Sequence, residues 1–218
     1  MVFIDLHTHS VSPTAQTFIF NYDAASNLGF DETIQYQSVG IHPWSLSKLE
    51  ISSALTRVKE LASRRNVIAI GECGLDTLSQ VSLSLQEKVL VEQLKIASQL
   101  GKPVIIHCVK AHNELIRIAK REKVSIPLVI HGFDGNLNIA QQLWKNGYYL
   151  SFGKALLRPH SNAANILKDW PLERIFIETD DSTLPIETLY QTAGQIVNLE
   201  LNEIATIIMD NFNRVFRT

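Results

Sequence analysis

The sequence predicts a single α/β domain over residues 1–218, which is a TIM-type (β/α)8 barrel whose first βα unit could be shorter than usual. Short apolar or β-branched runs alternate with longer segments of helical periodicity, which is the pattern of βα units around a parallel sheet. A length of 218 residues suits one barrel. The chain has no internal repeat, low-complexity tract or Gly/Ser-rich linker, so nothing in it marks a boundary between domains.

Eight segments are predicted to be strands, and most are apolar throughout, as strands covered on both faces should be. They are residues 2–6, 17–21, 37–41, 67–71, 103–107, 127–131, 148–152 and 174–178. The pattern is weakest at residues 10–36, because a full helix should separate the first two strands and only the short run 24–28 is available. This gap is the reason for allowing a shortened first unit.

Helices are predicted between the strands from their periodicity and their end signals. Ser47 with Glu50, and Ser84 with Glu87, each fit the Ser-x-x-Glu capping box that begins a helix. Gly101 is placed to end the second of these helices. Further helices fit residues 112–122, 138–146, 162–170, 187–198 and 202–216.

Composition excludes several classes of protein. The formal net charge of -2 gives no sign of the broad basic surface that drives tight binding to duplex nucleic acid, although bound divalent cations would add local positive charge. No apolar run approaches the roughly 18 residues that span a bilayer, so we expect no membrane interaction. The first residues carry no secretory signal, and Cys73 and Cys108 are too far apart for a CxxC motif, so we expect a cytoplasmic protein with two free thiols.

The segment His7-Thr8-His9 closes the first predicted strand. The two-residue period of a strand puts both imidazoles on the same side, close enough together to chelate one metal ion. A His-x-His sequence is common by chance, and on its own it is equally compatible with two polar residues at a strand end. The positions of the other potential ligands favour metal binding.

Four further potential ligands lie at or just beyond the carboxyl ends of predicted strands four, five, six and eight, the face on which barrel enzymes carry their chemistry. They are Glu72, His107, His131 and Asp180. Each has an ordinary structural interpretation by itself, as a helix-capping acid, a buried core histidine or a turn residue. Six such residues on one rim by accident is far less probable, so we predict that all six are metal ligands.

Imidazole nitrogen with carboxylate oxygen suits zinc, manganese, iron or nickel, and with water in open positions it also admits magnesium. The sequence does not distinguish among these metals. Four histidines and two carboxylates exceed what one tetrahedral ion needs. We therefore predict two divalent metal ions per chain, about 3.5 to 4 Å apart as in other two-metal sites, with Glu72 as the candidate bridge.

The order and spacing of these residues resemble the TatD-type metal-dependent hydrolases, a DNase family of the amidohydrolase superfamily, over nearly the whole chain. The matching segments are Ile4-Asp5-Leu6-His7-Thr8-His9, Gly40-Ile41-His42-Pro43, Gly71-Glu72-Cys73-Gly74-Leu75-Asp76, Pro103-Val104-Ile105-Ile106-His107 and Glu178-Thr179-Asp180, with Asn211, Arg214 and Phe216 near the end.

The resemblance implies a TIM-type barrel, a divalent-metal site and, in several members, nuclease activity on DNA, often from the 3′ end. Carried over by position, one ion would be held by His7, His9, Glu72 and Asp180, and the second by Glu72, His107 and His131. In the implied mechanism a metal-activated water attacks phosphorus, and Asp180 orients that water and accepts its proton. Asp180 and Glu72 are therefore the predicted catalytic residues, and a DNA end or a small phosphoester is the expected substrate.

Two residues are predicted to contact the substrate. His42 belongs to the family's Gly-Ile-His-Pro signature and would contact substrate or phosphate rather than a metal, although it could equally be fixed by the neighbouring proline turn. Two residues after His107 the family often has an arginine, and here Val109 stands in that place. Lys110 follows as a candidate phosphate contact. Its ammonium group is a point charge, whereas the guanidinium of an arginine would bind phosphate through two parallel N–H donors.

Two carboxylates depart from the family pattern. The usual His-Cys-Phe-Ser-Gly becomes His131-Gly132-Phe133-Asp134-Gly135, and Asp181 stands where a proline usually follows the catalytic aspartate. Both departures lie beside predicted ligands, so we expect substrate preference to be the property in which this chain differs from the family.

Three aromatic residues lie near predicted strand ends and could either stack on bases or pack the mouth of the barrel. For Phe152 we favour packing, whereas Trp44 and Phe133 are equally compatible with both roles. Cys73 and Cys108 neighbour ligands, but strand alternation points each of them away, so we predict buried small side chains rather than metal ligands.

Other functions remain open at this point. The opening Asp5-Leu6-His7-Thr8-His9-Ser10 also resembles the polymerase and histidinol phosphatase (PHP) phosphoesterases, but Ser12-Pro13 follows and no counterpart of the segment 71–76 is expected there. An amide or lactone hydrolase could use the same metals, and a non-catalytic metal-binding interaction module is an alternative of another class. All six ligand positions are filled, which argues against a non-catalytic module, because proteins that lose catalysis usually lose some of these costly polar groups as well. No obligate protein partner is inferred.

Overall fold

The computed structural model describes residues 2–11, 15–26 and 28–216. Within them, eight strands form one hydrogen-bonded sheet in chain order. The strands are β1 (Ile4–Thr8), β2 (Thr17–Asp23), β3 (Gln37–Gly40), β4 (Val67–Asp76), β5 (Val104–Val109), β6 (Leu128–Ile130), β7 (Tyr149–Phe152) and β8 (Ile175–Ile177). Every predicted strand is confirmed. The largest difference is at β4, which continues five residues beyond the predicted end, so Glu72 lies inside this strand and not at its end.

Seven α-helices lie in the described ranges: α1 (Ile51–Ala62), α2 (Leu83–Leu100), α3 (His112–Arg121), α4 (Leu137–Lys145), α5 (Asn162–Asp169), α6 (Ile186–Val197) and α7 (Leu201–Phe216). Short 3-10 turns span Pro43–Lys48, Lys154–Leu157 and Leu172–Arg174. Each strand from β3 to β8 is followed by an α-helix. The described residues after β1 and after β2 form none, so the expected shortening affects two βα units; Ser12, Pro13 and Thr14 lie outside the described residues.

Two predicted helix starts were wrong, because other side chains cap these helices. The carboxylate of Glu50 accepts hydrogen bonds from the backbone of Ser52 and Ser53 at the start of α1, and Ser47 belongs to the preceding 3-10 turn. The hydroxyl of Ser82 caps α2, two residues before the predicted Ser84. Gly101 ends α2 with a φ of 65°, as predicted.

The chain divides into two compact units: the first unit comprises residues 1–20 and 130–218, and the second unit comprises residues 21–129. In the first unit, the buried hydroxyl of Tyr190 donates to the carbonyl of Ile4 at 2.9 Å and accepts from its amide at 3.1 Å. The side chain of Asn211 donates to the carbonyls of Leu172 and Ile175. These bonds tie α6 to β1 and α7 to β8, the strands that lead into the predicted ligands.

In the second unit, two buried glutamines of α2 hold the backbone next to predicted site residues. Gln93 accepts from the amide of Ile41 at 2.8 Å and donates to its carbonyl at 3.3 Å. Gln86 likewise accepts from the amide of Asp76 at 2.7 Å and donates to its carbonyl at 3.0 Å. Because a buried polar group is costly unless it is paired, these amides fix the chain at both points.

Candidate metal centre

In the first unit, His7, His131 and Asp180 each offer a ligand atom, and these atoms all lie within 4.8 Å of one another. His7 is fully buried in β1, and its Nε2 lies 3.7 Å from Oδ1 of Asp180. The rings of His7 and His131 have centroids 4.5 Å apart. Two imidazoles and one carboxylate form a donor set that suits zinc, manganese, iron or nickel, so these residues fit a divalent ion.

His9 lies beside this group. Its Nε2 lies 3.5 Å from Oδ1 of Asp180, and its side chain is 44% exposed. Its ring centroid lies 5.0 Å from that of His7, as expected for two residues on the same side of a strand. Backbone bonds position Asp180, since its amide donates to the carbonyl of His7 at 2.9 Å and its carbonyl accepts from the amide of His9 at 3.2 Å.

A second layer of carboxylates lies behind these ligands. Oε1 of the fully buried Glu178 lies 3.2 Å from Nδ1 of His131 and accepts the amide proton of Gly132 at 2.6 Å. Asp5 accepts from the amide of Thr179 at 2.9 Å and from its hydroxyl at 2.5 Å. Burial raises the pKa of Asp5 to about 7, although these hydrogen bonds oppose that shift. Glu178 and Asp5 thus orient the chain around the ligands.

In the second unit, His42, Glu72 and His107 form a second group whose ligand atoms lie within 4.8 Å of one another. Oε1 of the buried Glu72 lies 2.8 Å from Nδ1 of His107 and 3.3 Å from Nε2 of His42. The two imidazole rings meet at 70° with centroids 4.4 Å apart. Their donor set again fits a divalent ion. His42, predicted as a substrate contact, is thereby also within reach of Glu72.

Asp76 supports this second group, a role that its position in the sequence does not indicate. Its Oδ2 lies 3.3 Å from Nε2 of His107 and accepts a hydrogen bond of 2.7 Å from the indole of Trp44. Burial opposes ionisation of Asp76, but hydrogen bonds from the amide of Leu78, from Trp44 and from His107 outweigh it and hold its pKa below the ordinary value. A charged carboxylate at this nitrogen directs the other nitrogen of His107 towards Glu72.

The remaining predicted residues are placed as follows. Lys110 comes directly after β5, with a φ of 52° and an exposed side chain. Phe133 and Phe152 are buried and pack edge to face, with centroids 6.2 Å apart. Cys73 and Cys108 are both free; Cys73 is buried as predicted, whereas Cys108 is only half-buried. Burial raises the pKa of both thiols, to about 12 for Cys108. These observations agree with packing roles for the two phenylalanines and the two cysteines.

A pocket of about 500 Å³ opens beside Asp180 in the first unit. It is lined by Gly132, Asp134, Gly153, Lys154, Ala155, Arg158, Glu178 and Asp180. The two carboxylates that depart from the family pattern pair with its two cations. Nζ of Lys154 lies 2.5 Å from Oδ1 of Asp181, and Nη2 of Arg158 lies 2.5 Å from Oδ2 of Asp134. The positive charge at this pocket is therefore compensated.

Comparison with known proteins gives concordant matches. The sequence model described as "TatD related DNase" matches residues 8–217. YabD of Bacillus subtilis (strain 168), an uncharacterized metal-dependent hydrolase, is 28% identical over 199 residues, covering 84% of this chain and 77% of that protein. YjjV of Escherichia coli (strain K12), also an uncharacterized metal-dependent hydrolase, is 32% identical over 155 residues, covering 69% of this chain and 60% of that protein.

A further relative carries a named activity. The 3'-5' ssDNA/RNA exonuclease TatD of Escherichia fergusonii is 32% identical over 149 residues, covering 66% of this chain and 57% of that protein. The match thus spans less than two thirds of the length of this exonuclease and of YjjV. Among the helices of the described residues, none combines the length and apolar character needed to cross a membrane.

Solved structures establish the fold. The crystal structure of YjjV from Escherichia coli K12 superimposes with a TM-score of 0.87 at 24% identity, covering 99% of this chain and 98% of that chain. A TatD-family hydrolase from Entamoeba histolytica gives a TM-score of 0.82 at 18% identity, covering 100% and 99%. The predicted α/β class and the TIM-type (β/α)8 fold are confirmed.

Proposed function

This chain belongs to the TatD-related DNase family and is a metal-dependent hydrolase of ester bonds, and from that premise we propose that it cleaves phosphodiesters at the ends of single-stranded DNA or RNA. One observation carries the proposal. In each unit a buried or half-buried set of imidazoles and a carboxylate presents ligand atoms within 4.8 Å of one another. The name of the exonuclease relative supplies the substrate class.

We propose that two divalent ions bind per chain. The proposed ligands are His7, His9, Glu72, His107, His131 and Asp180. Five of these residues belong to the two groups of ligand atoms described above, in which His42 is the sixth member, and His9 lies beside Asp180. The donor chemistry of these side chains supports the proposal. When bound, such ions supply Lewis acidity that makes water a nucleophile at neutral pH and stabilises negative charge on phosphoryl oxygens.

The side chains of the protein have separate roles in this scheme. Glu178 and Asp76 orient the rings of His131 and His107, because each carboxylate faces one ring nitrogen. Asp180 orients the attacking water and accepts its proton, a role supported by its backbone anchoring beside β1. Lys110 and His42 contact the phosphate.

The location that we propose is the cytoplasm, and the single domain predicted from the sequence remains part of the proposal. The two cysteines support the location, since both are free and lie where burial suppresses thiolate formation. A reducing compartment preserves such thiols.

The test uses the full chain purified without chelator. Metal content is measured by elemental analysis after dialysis, and hydrolysis is followed on end-labelled single-stranded DNA, RNA and duplex DNA with added manganese, magnesium or zinc. A lactone, an amide and a phosphomonoester complete the panel. We expect about two ions per chain and stepwise shortening of single strands from an end.

Two controls sharpen this result. Glu72→Gln removes a proposed ligand, while Glu60→Gln changes an exposed acid of α1 and leaves the metal site alone. Hydrolysis of the lactone or amide, with oligonucleotides untouched under every metal, would overturn the proposed substrate. Metal content near zero, with no gain in thermal stability on adding manganese or zinc, would overturn the metal assignment, because an ion bound only by the folded state must stabilise it.

A further inference from the structure

Trp44 differs from the other two aromatic residues that lie near predicted strand ends. Phe133 and Phe152 are buried, 2% and 0% exposed, and pack on each other. Trp44 is 61% exposed, in the 3-10 turn Pro43–Lys48 that directly follows His42. The ring of Trp44 is therefore accessible to a ligand next to the second group of candidate metal ligands.

The exposed ring is held in a fixed position. Its Nε1 donates a hydrogen bond of 2.7 Å to Oδ2 of Asp76, which is only 1% exposed. The ring meets that of His42 at 88° with centroids 5.0 Å apart, and that of His107 at 74° with centroids 5.9 Å apart. Both imidazoles therefore contact the indole with crossed rings, and neither stacks on it. Since the side chain is already ordered, a ligand that stacks on it pays little for immobilising it.

A second exposed tryptophan provides an internal comparison. Trp144 in α4 is 50% exposed, but its ring lies against Trp170, with centroids 6.4 Å apart, and Trp170 is 6% exposed. Trp144 thus covers an apolar residue of the core. Trp44 instead has as neighbours a buried carboxylate and two histidines of the candidate metal group.

We propose that Trp44 is a stacking platform for a nucleobase of the substrate, adjacent to the phosphodiester that is cleaved. This inference rests on the proposed function and adds how the substrate is recognised. The occupant is an unpaired base, because a base within a duplex already has both faces covered by its neighbours. Stacking on an aromatic side chain tolerates every base, so the platform selects single strands and not a sequence.

The kinetic test compares Trp44→Ala with the matched control Trp144→Ala. Trp44→Ala is expected to raise KM for an end-labelled single-stranded oligonucleotide by about 5- to 150-fold, the range expected for one stacked base. The value of kcat changes little, and Trp144→Ala stays near wild type. On the same strand with abasic sites at its terminal nucleotides, wild type and Trp44→Ala become equal. An unchanged KM, or an equal loss on the abasic strand, overturns the proposal.

A positioning role through Asp76 is the main rival, because Trp44→Ala also removes a donor from that carboxylate. Trp44→Gln retains an N–H donor without the ring, and Trp44→Phe retains a ring without the donor. Stacking predicts that Phe recovers part of the affinity and that Gln does not. Recovery by Gln alone overturns the stacking role.

A binding measurement keeps this inference separate from the proposed function. Deoxyadenosine 5′-monophosphate, in the presence of magnesium, is expected to quench the tryptophan fluorescence of wild type and of Trp144→Phe, but not of Trp44→Phe. Deoxyribose 5-phosphate, which lacks a base, is expected to quench none of them. If wild type cleaves no oligonucleotide but this quenching depends on Trp44, the proposed function fails and the stacking platform stands. Quenching that survives in Trp44→Phe overturns the platform even in an active nuclease.

Discussion

The compensated cations of the pocket beside Asp180 give a quantitative expectation for nucleic-acid binding. Asp134→Asn with Asp181→Asn removes the charges that pair with Arg158 and Lys154 at 2.5 Å. Asparagine keeps the Oδ1 acceptor that Asp134 offers to the amide at the start of α5. Both pairs are largely exposed, so their loss should cost little stability. The freed cations should then meet phosphates, and affinity for oligonucleotides should rise.

The salt dependence of binding measures that gain. On single strands each neutralised phosphate adds about 0.7 to the slope of log affinity against log salt, so two freed cations add up to about 1.4. Between about 50 and about 200 mM salt, the variant should lose up to about sevenfold more affinity than wild type. Fluorescence anisotropy of a labelled oligonucleotide, measured with an inactive metal or with Asp180→Asn as the common background, gives both slopes.

A matched control separates local pairing from overall charge. Asp169→Asn with Asp210→Asn removes two exposed acids of α5 and α7 and changes the net charge equally. This control should leave the slope within error of wild type. The reasoning fails if the two double variants steepen the slope equally, or if Asp134→Asn with Asp181→Asn leaves it unchanged.

Three further outcomes are expected. Glu72→Gln should lower metal content and turnover together, as measured by elemental analysis and single-strand hydrolysis. Asp180→Asn should reduce turnover by about two to four orders of magnitude beyond any loss of metal, and near-normal turnover at saturating metal would remove its role as proton acceptor. Tyr190→Phe removes both hydrogen bonds to Ile4 and should lower the free energy of unfolding by about 2 to 4 kcal/mol. In a single unfolding transition this corresponds to a fall in Tm of about 4 to 16 °C. The control Tyr149→Phe, at a half-buried position, should change the free energy of unfolding by no more than about 0.5 kcal/mol.

The strands could be predicted because runs of buried apolar residues are local in the sequence. The end of β4 could not be predicted, because a glycine such as Gly71 is typical of a position where a strand ends. In the structure Gly71 and Gly74 have φ of 137° and 156° and let the strand continue beside β5. A Cβ built on Gly74 would lie 1.8 Å from the carbonyl oxygen of His107, so only glycine fits there. This close approach depends on a partner strand that the local pattern does not reveal.

The proposed ligands were selected by residue type and by position near the ends of predicted strands, although Glu72 lies inside β4 in the structure. The carboxylates that support these ligands could not be identified from the sequence, because Asp76 and Glu178 contact the ring nitrogens of histidines that are 31 and 47 positions away in the chain. The capping box failed for a related reason. Ser84 matches the capping-box pattern, but the hydroxyl that accepts a hydrogen bond from the free amide of Leu85 belongs to Ser82, which lies two residues before Ser84. A pattern of residue types does not say which of two neighbouring hydroxyls will reach the amide.

The backbone bridge between Asp180 and β1 has a practical consequence for redesign. Both of its hydrogen bonds use main-chain atoms, from the amide of Asp180 to His7 and from the amide of His9 to Asp180. Such bonds do not depend on which side chain stands at position 180. The φ of 55° at this position favours residue types that tolerate left-handed backbone, and histidine is one of them. Replacement of Asp180 by histidine would therefore present a nitrogen donor from the same anchored point of the chain and alter the selectivity among transition metals without rebuilding the strand.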